Sequence, residues 1–303
     1  MESILKLKNS IRDICRKQDE IITPILRFIW SLIVFMSIQK IYGYNDLASK
    51  PEVTILLAVM AALLPDGFMF FMAGVVMALH SFSVSLEVGA VFIVLFVIIY
   101  CVYIRFFPKY AYAVLMVPVF YVLHIPFAAP IVIALVAGLG GVVPAVCGVA
   151  LYYFSQCAAE INHLLATKSN ENEIEAVKQL SSVLIGNRDM YTTMIAFAVT
   201  VLTIALLAKL TFNYAIYVAM GAGIVVNIIG AILAGFIMSE DVPMDMVVIG
   251  SIVGLVLAFI LRFGQGILDY KHTERVQFED DDYYYYVKAV PKIDSEKKKH
   301  VAE

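Results

Sequence analysis

The chain has 303 residues, 61% of them apolar and 16% charged, with a net charge of −3 and a mean hydropathy of +0.86. A soluble domain is roughly half apolar and about a quarter charged. A disordered protein, a disulfide-stapled secreted domain and a typical cytosolic enzyme are therefore excluded. What remains is an all-α, polytopic helical membrane protein. With a pI near 6.0, it has no basic face suited to nucleic acid.

Cys15, Cys101, Cys147 and Cys157 lie in or beside apolar segments without a CxxC spacing, the pattern of buried thiols rather than a metal or redox site. No metal or other cofactor is expected. The first apolar run begins near Ile25 and lacks a small-residue cleavage site, so it reads as an uncleaved first span.

In chain order, residues 1–24 read as a basic amphipathic interfacial helix. Ile4, Leu7, Ile11 and Ile14 recur at steps of three and four, with Lys6, Lys8, Arg12, Arg16 and Lys17 around them. Two placements fit residues 2–22: an anionic lipid surface, or the cytoplasmic face of the protein itself.

Residues 25–157 form a membrane region whose first span is Ile25 to Tyr42. Two proline-broken units follow, 52–104 and 111–157. In the first, Leu64-Pro65-Asp66-Gly67 interrupts the apolar run Val53 to Leu79, and Val84 to Ile104 is an unbroken span. In the second, Ile125 to Pro130 interrupts the run from Ala111, and a bend at Gly138, Gly140 and Gly141 leads into Val142 to Cys157. Each arm is shorter than the ~20 residues a straight span needs, so each broken run is a kinked span or a hairpin.

Residues 158–190 read as a polar connector helix, 191–263 as three membrane helices, and 264–303 as a polar cytoplasmic tail. The whole amounts to about 8 to 10 membrane segments including two hairpin-like units.

Charge sets the orientation. The basic N-terminus, the Arg105 to Lys109 link and the Arg262, Lys271 and Arg275 flank belong inside, and the acidic Ser239 to Asp245 loop outside. These assignments agree only if both broken runs are hairpins. The two units then enter from opposite sides, the inverted-repeat arrangement that many secondary transporters use. A plasma-membrane location with both termini cytoplasmic follows.

Ionisable groups inside apolar segments are costly and mark pathways when they occur. The candidates for a substrate or ion pathway are Asp66 and His124 at the two breaks, Glu87 at the start of a span, and Asn227 in the middle of one. Asp66 with His124 suits proton or cation relay. Against this stand hydrated interfacial turns for Asp66, Glu87 and His124, and an interhelical hydrogen bond for Asn227. Gly250-x-x-x-Gly254 and Ala231-x-x-x-Gly235 are small-residue packing motifs, expected to join the last two spans as a hairpin.

In the tail, Glu279 to Asp282 precede Tyr283 to Tyr286 and Val287, which favours extended structure. Residues 278–292 are a candidate docking strand for a protein partner or a tail folded on the basic N-terminus. No P-loop, HExxH, GxSxG or dinucleotide fingerprint occurs, so catalysis is not expected. The expected function is transport, as a carrier or the membrane subunit of a transporter. The alternative is a non-catalytic scaffold or subunit of a cell-envelope complex.

Overall fold

The protein is described by a computed structural model covering residues 19–167, 186–210, 214–238, 244–268, 274–279 and 284–289. Most of the basic N-terminal segment, the connector from 168 to 185 and the acidic loop 239–243 lie outside these residues. The chain divides into two compact units, Pro24–Ala258 and a second one made of Met1–Thr23 with Phe259–Glu303.

α1 (Asp19–Ile41), which enters the Pro24–Ala258 unit at Pro24, is followed by α2 (Pro51–Leu63), α3 (Asp66–Val84) and α4 (Leu86–Ile99). Pro51 opens α2 at a position where its missing N–H is no loss. Leu64 and Pro65 are extended and end it, because a residue before proline is driven out of the helical region.

Contacts fix the directions. Ser31 of α1 donates to the Met69 sulfur of α3 at 3.6 Å. Eleven or so residues further along both helices, Tyr42 stacks on His80. Hence α1 and α3 run parallel. Gln39 near the end of α1 bonds to the Ala48 carbonyl and to Thr54 at the start of α2, so α2 runs back between them. The first broken run is a hairpin.

Ser85 alone separates α3 from α4, and its side chain caps α4 by accepting from the Val88 N–H at 3.1 Å. These helices also pack antiparallel. A Cβ on Gly74 would run into the Phe96 ring, and one on Gly89 into the Phe82 ring. The last turn of α4, Tyr100–Ile104, widens into a π-helix.

The second unit is α5 (Ala111–Val122), α6 (Ala128–Ala137) and α7 (Val142–Thr167). Val114 and Val117 meet Gly148, and Tyr121 stacks on Tyr152 at 3.6 Å, so α5 and α7 are parallel and α6 returns between them. Gly138, at φ +57°, turns the chain from α6 into a short 3-10 segment and then α7. The second broken run is therefore a hairpin too, with arms of only 12 and 10 residues. α7 continues through Cys157, where the sequence reading ended its span, and keeps Ala158 and Ile161 buried.

The remaining helices are α8 (Arg188–Leu207), α9 (Ala215–Met238) and α10 (Met244–Leu268). Asn187 caps α8 by accepting from the Met190 N–H. Gly223 meets Ile204, and Gly230 meets Ala196, an antiparallel α8–α9 pair. The small-residue motif of α10 packs elsewhere than expected. Gly250 and Gly254 lie against Phe127 and Ala128 at the start of α6, because that short helix leaves room for a close backbone approach. Ala231 is buried in α9.

A Cβ on Gly67 at the start of α3 would lie 3.6 Å from Pro108 in the link before α5, so α3 and α5 leave from the same end. The helices then alternate in direction along the chain. Pro24 of α1, the 105–110 link and Ala258 of α10 fall at one end of this unit.

Among the described residues, seven helical stretches are long and apolar enough to cross a membrane, one of them comprising α6 and α7 together. α2, at 13 residues, is shorter, which is why fewer full spans than the expected segments are found. Large apolar side chains such as Leu56, Val94, Leu233 and Phe236 are exposed over several helices, a surface suited to contact with lipid. In the second unit, β1 (Glu274–Glu279) pairs antiparallel with β2 (Tyr284–Ala289), so part of the tyrosine run folds with its own tail.

Candidate functional site

The break between α5 and α6 is held against the middles of three spans. Asn227 in α9, Thr200 in α8 and Ser251 in α10 are buried. The Asn227 amide nitrogen donates to the Phe127 carbonyl at 2.9 Å and to the Ser251 hydroxyl at 3.3 Å. Since a carbonyl can only accept, the orientation of the amide is fixed. Its oxygen accepts from Thr200 Oγ1 at 2.9 Å, while that hydroxyl also lies 2.8 Å from the Ala196 carbonyl. One hydroxyl proton serves these two acceptors in turn. Asn227 is thus the interhelical hydrogen-bonding residue its solitary position suggested, and one of its bonds reaches a backbone carbonyl at the break.

The tip of this hairpin is its exposed part. Leu123 is 51% exposed, and His124 is exposed with φ +62°. The turn closes through the N–H groups of His124 and Ile125, which donate to the Tyr121 and Phe120 carbonyls. His124 Nδ1 lies 3.0 Å from the Val122 carbonyl, which places the proton on Nδ1. A neutral ring then carries its lone pair on Nε2.

A second polar cluster joins α1, the 42–50 loop and α3. His80 is fully buried. Its Nδ1 accepts from the Asn45 backbone N–H at 3.1 Å, so the neutral ring carries its proton on Nε2, a buried nitrogen with no partner. Asn45 Oδ1 accepts from the Leu47 and Ala48 N–H groups, and its Nδ2 donates to Ser83. Tyr42 stacks on His80 with ring centroids 6.0 Å apart, and its hydroxyl is also buried without a partner. Burial pushes the Tyr42 phenol well above its usual range, with Tyr44 adding to the effect. Burial likewise raises Tyr44.

His80 was missed in the sequence because it closes an apolar run beside Ser81, Phe82 and Ser83, where it looks like the edge of a span. The available signal was an ionisable residue among serines one turn before the next helix.

The structure separates the candidates that the repeat had grouped. Asp66 is the first residue of α3, at the Pro108 end of the unit. The 12 residues of α5 carry the chain about 18 Å from that end before His124 is reached. The two breaks are therefore not one site: the first hairpin turns at an end of the bundle, the second beside the middles of α8 and α9. Glu87 is in the first turn of α4, half-buried, with Oε2 enclosed and unpartnered. Among the described residues, no group of three or more His, Cys, Asp or Glu could hold a metal ion.

The fold and these features define a multi-pass helical integral membrane protein with a short α5–α6 hairpin packed against later helices. Among known proteins, no family model, no curated sequence and no solved structure matches the chain.

Proposed function

We propose that this chain is a carrier, or the membrane subunit of a transporter, whose solute path runs past the tip of the α5–α6 hairpin. One observation carries the reading: an irregular turn held beside the middles of membrane helices exposes Leu123 and His124. Non-helical backbone at membrane depth occurs only where protein buries it or a water-filled cavity wets it. The exposed tip therefore faces an aqueous cavity. His124 offers a proton or cation ligand there, while Asp66 and Glu87 stand at opposite ends of the α3–α4 hairpin. The solute moves without covalent chemistry. The protein sits in the plasma membrane, with the Pro24 and Ala258 end cytoplasmic, where Arg105 and Lys109 also fall.

The test is cysteine labelling in membranes. Cys15, Cys101, Cys147 and Cys157 are first replaced by Ser. Leu123→Cys is then challenged with a membrane-impermeant maleimide, with Leu47→Cys in the 42–50 loop and Leu56→Cys on the exposed face of α2 as references. Labelling of Leu123→Cys at a rate approaching that of Leu47→Cys supports the reading. A rate as low as that of Leu56→Cys overturns it.

The scarcity of ionisable groups in the spans favours a second reading, a scaffold or subunit of a cell-envelope complex with the 278–292 segment as its contact. That reading requires a co-purifying protein that is lost when residues 280–303 are deleted.

A further inference from the structure

The C-terminal hairpin is amphipathic by register. Val276 pairs with Val287, Phe278 with Tyr285 and Glu274 with Ala289. Residues directly opposite share a face, and alternate residues along a strand share it too. One face therefore collects Val276, Phe278, Tyr285, Val287 and Ala289 with Glu274 at its edge. The other collects Arg275, Gln277, Glu279, Tyr284, Tyr286 and Lys288. A lone two-stranded hairpin is marginal in water and needs a further layer on its apolar face.

We infer that this layer is the N-terminal segment 2–22 of the same chain. The compact unit that holds the hairpin consists of Met1–Thr23 and Phe259–Glu303, so this segment belongs to the same body. Its Ile4, Leu7, Ile11 and Ile14 form an apolar stripe at helical spacing, the shape that covers a small sheet face.

Charge favours the same pairing. Lys6, Lys8, Arg12, Arg16 and Lys17 are interrupted by the single acid Asp13, and Glu279 at the end of β1 is followed in sequence by Asp280, Asp281 and Asp282. These acids attract that basic run, whereas an anionic bilayer surface repels them. The basic helix thus serves as a clasp for the tail, and the lipid surface competes for it.

The experiment uses the full-length chain in proteoliposomes containing anionic lipid, with a benzophenone amino acid at position 278. After irradiation and digestion, mass spectrometry is expected to find adducts to peptides from residues 2–22. The same probe at position 286, on the opposite face, is expected to give at least fivefold fewer. Reversing Lys6, Lys8, Arg12, Arg16 and Lys17 to Glu is expected to cut the position-278 yield at least fivefold. Adducts mainly to lipid or to another protein overturn the inference, as do equal yields at 278 and 286 or an unchanged yield after charge reversal. Mixing two differently tagged copies reads whether the adduct is within one chain. Adducts chiefly between copies overturn the assignment to the same chain.

Discussion

The side-chain amide of Asn227 donates to the Phe127 backbone carbonyl across 2.9 Å, joining the middle of α9 to the point where the second broken run turns back on itself. Asn227, with Thr200 and Ser251 around it, ties this turn to α8, α9 and α10 and so sets their register on it. Four residues further along α6 the same helices meet again, where Gly223 faces Ile131 and Ile204 and Gly254 faces Ala128 and Ile131.

Replacing Asn227 with Leu keeps the branched heavy-atom skeleton and removes the donors. The bonds from Asn227 to the Phe127 carbonyl and to Ser251 are then lost, as is its bond from Thr200, and stability in detergent is expected to fall by about 1–2 kcal/mol, read as a lower thermal midpoint. Asn227→Asp is expected to lose more, because a carboxylate cannot donate and its charge is buried. A leucine variant as stable as the parent would show that the network carries no stability.

Close backbone approach makes a second prediction. A Cβ on Gly148 would sit 2.5 Å from the Val114 carbonyl oxygen and 2.7 Å from the Val117 side chain, whereas one on Gly221 would meet nothing within 4 Å. Backbone cannot swing aside as a side chain can. Gly148→Ala is expected to cost about 1–3 kcal/mol by forcing α5 and α7 apart. Gly221→Ala is expected to gain up to about 1 kcal/mol from helix propensity. Equal midpoints for the two variants contradict this α5–α7 contact.

Much of this architecture was legible in the sequence, for reasons that differ from place to place. Pro65 and Gly67 mark the first turn because proline excludes helix from its predecessor. The basic links then separate a hairpin from a kink, and the contacts of Gln39 and Tyr42 bear out the hairpin. Depth was not legible. The turns at Asp66 and at His124 have similar composition, yet one falls at an end of the bundle and the other beside the middles of spans. That difference is set by packing between Phe127 and three later helices. The partner of Gly250 and Gly254 was hidden for the same reason: a small-residue motif declares that something comes close and does not say what. His80 escaped because its partner is a backbone N–H in a loop 35 residues earlier, which leaves no local pattern.

The backbone of His124, at φ +62°, makes a prediction separable from transport. The left-handed region costs an ordinary residue roughly 1–2 kcal/mol, is easy for glycine and is worst for β-branched residues. His124→Gly is therefore expected to keep or raise the thermal midpoint, although it removes the imidazole. His124→Val is expected to lose about 1–2 kcal/mol or more relative to the glycine variant. A valine variant matching the glycine one would place this turn in another conformation. Under the transport reading, both variants lose solute flux, so stability and activity part company in His124→Gly.

His80 and Tyr42 are in contact and yet are expected to respond oppositely to truncation. His80→Ala removes the acceptor of the Asn45 N–H and opens a hole in a fully buried position, a loss of about 2–4 kcal/mol. Tyr42→Phe removes only a buried hydroxyl that has no partner, so its stability is expected to stay equal or rise by up to about 1 kcal/mol. The alkaline limb distinguishes the pair further. Burial favours the neutral phenol of Tyr42, so the folded state holds that proton to higher pH than the unfolded chain does. Its contribution is complete below the unfolded value of about 10 and is lost as pH rises beyond it. Between about pH 9 and 11, the thermal midpoint of Tyr42→Phe is therefore expected to fall less than that of the parent, with His80→Ala falling from a lower start. A Tyr42→Phe variant as unstable as His80→Ala at neutral pH would mean that the hydroxyl makes a bond the fold depends on.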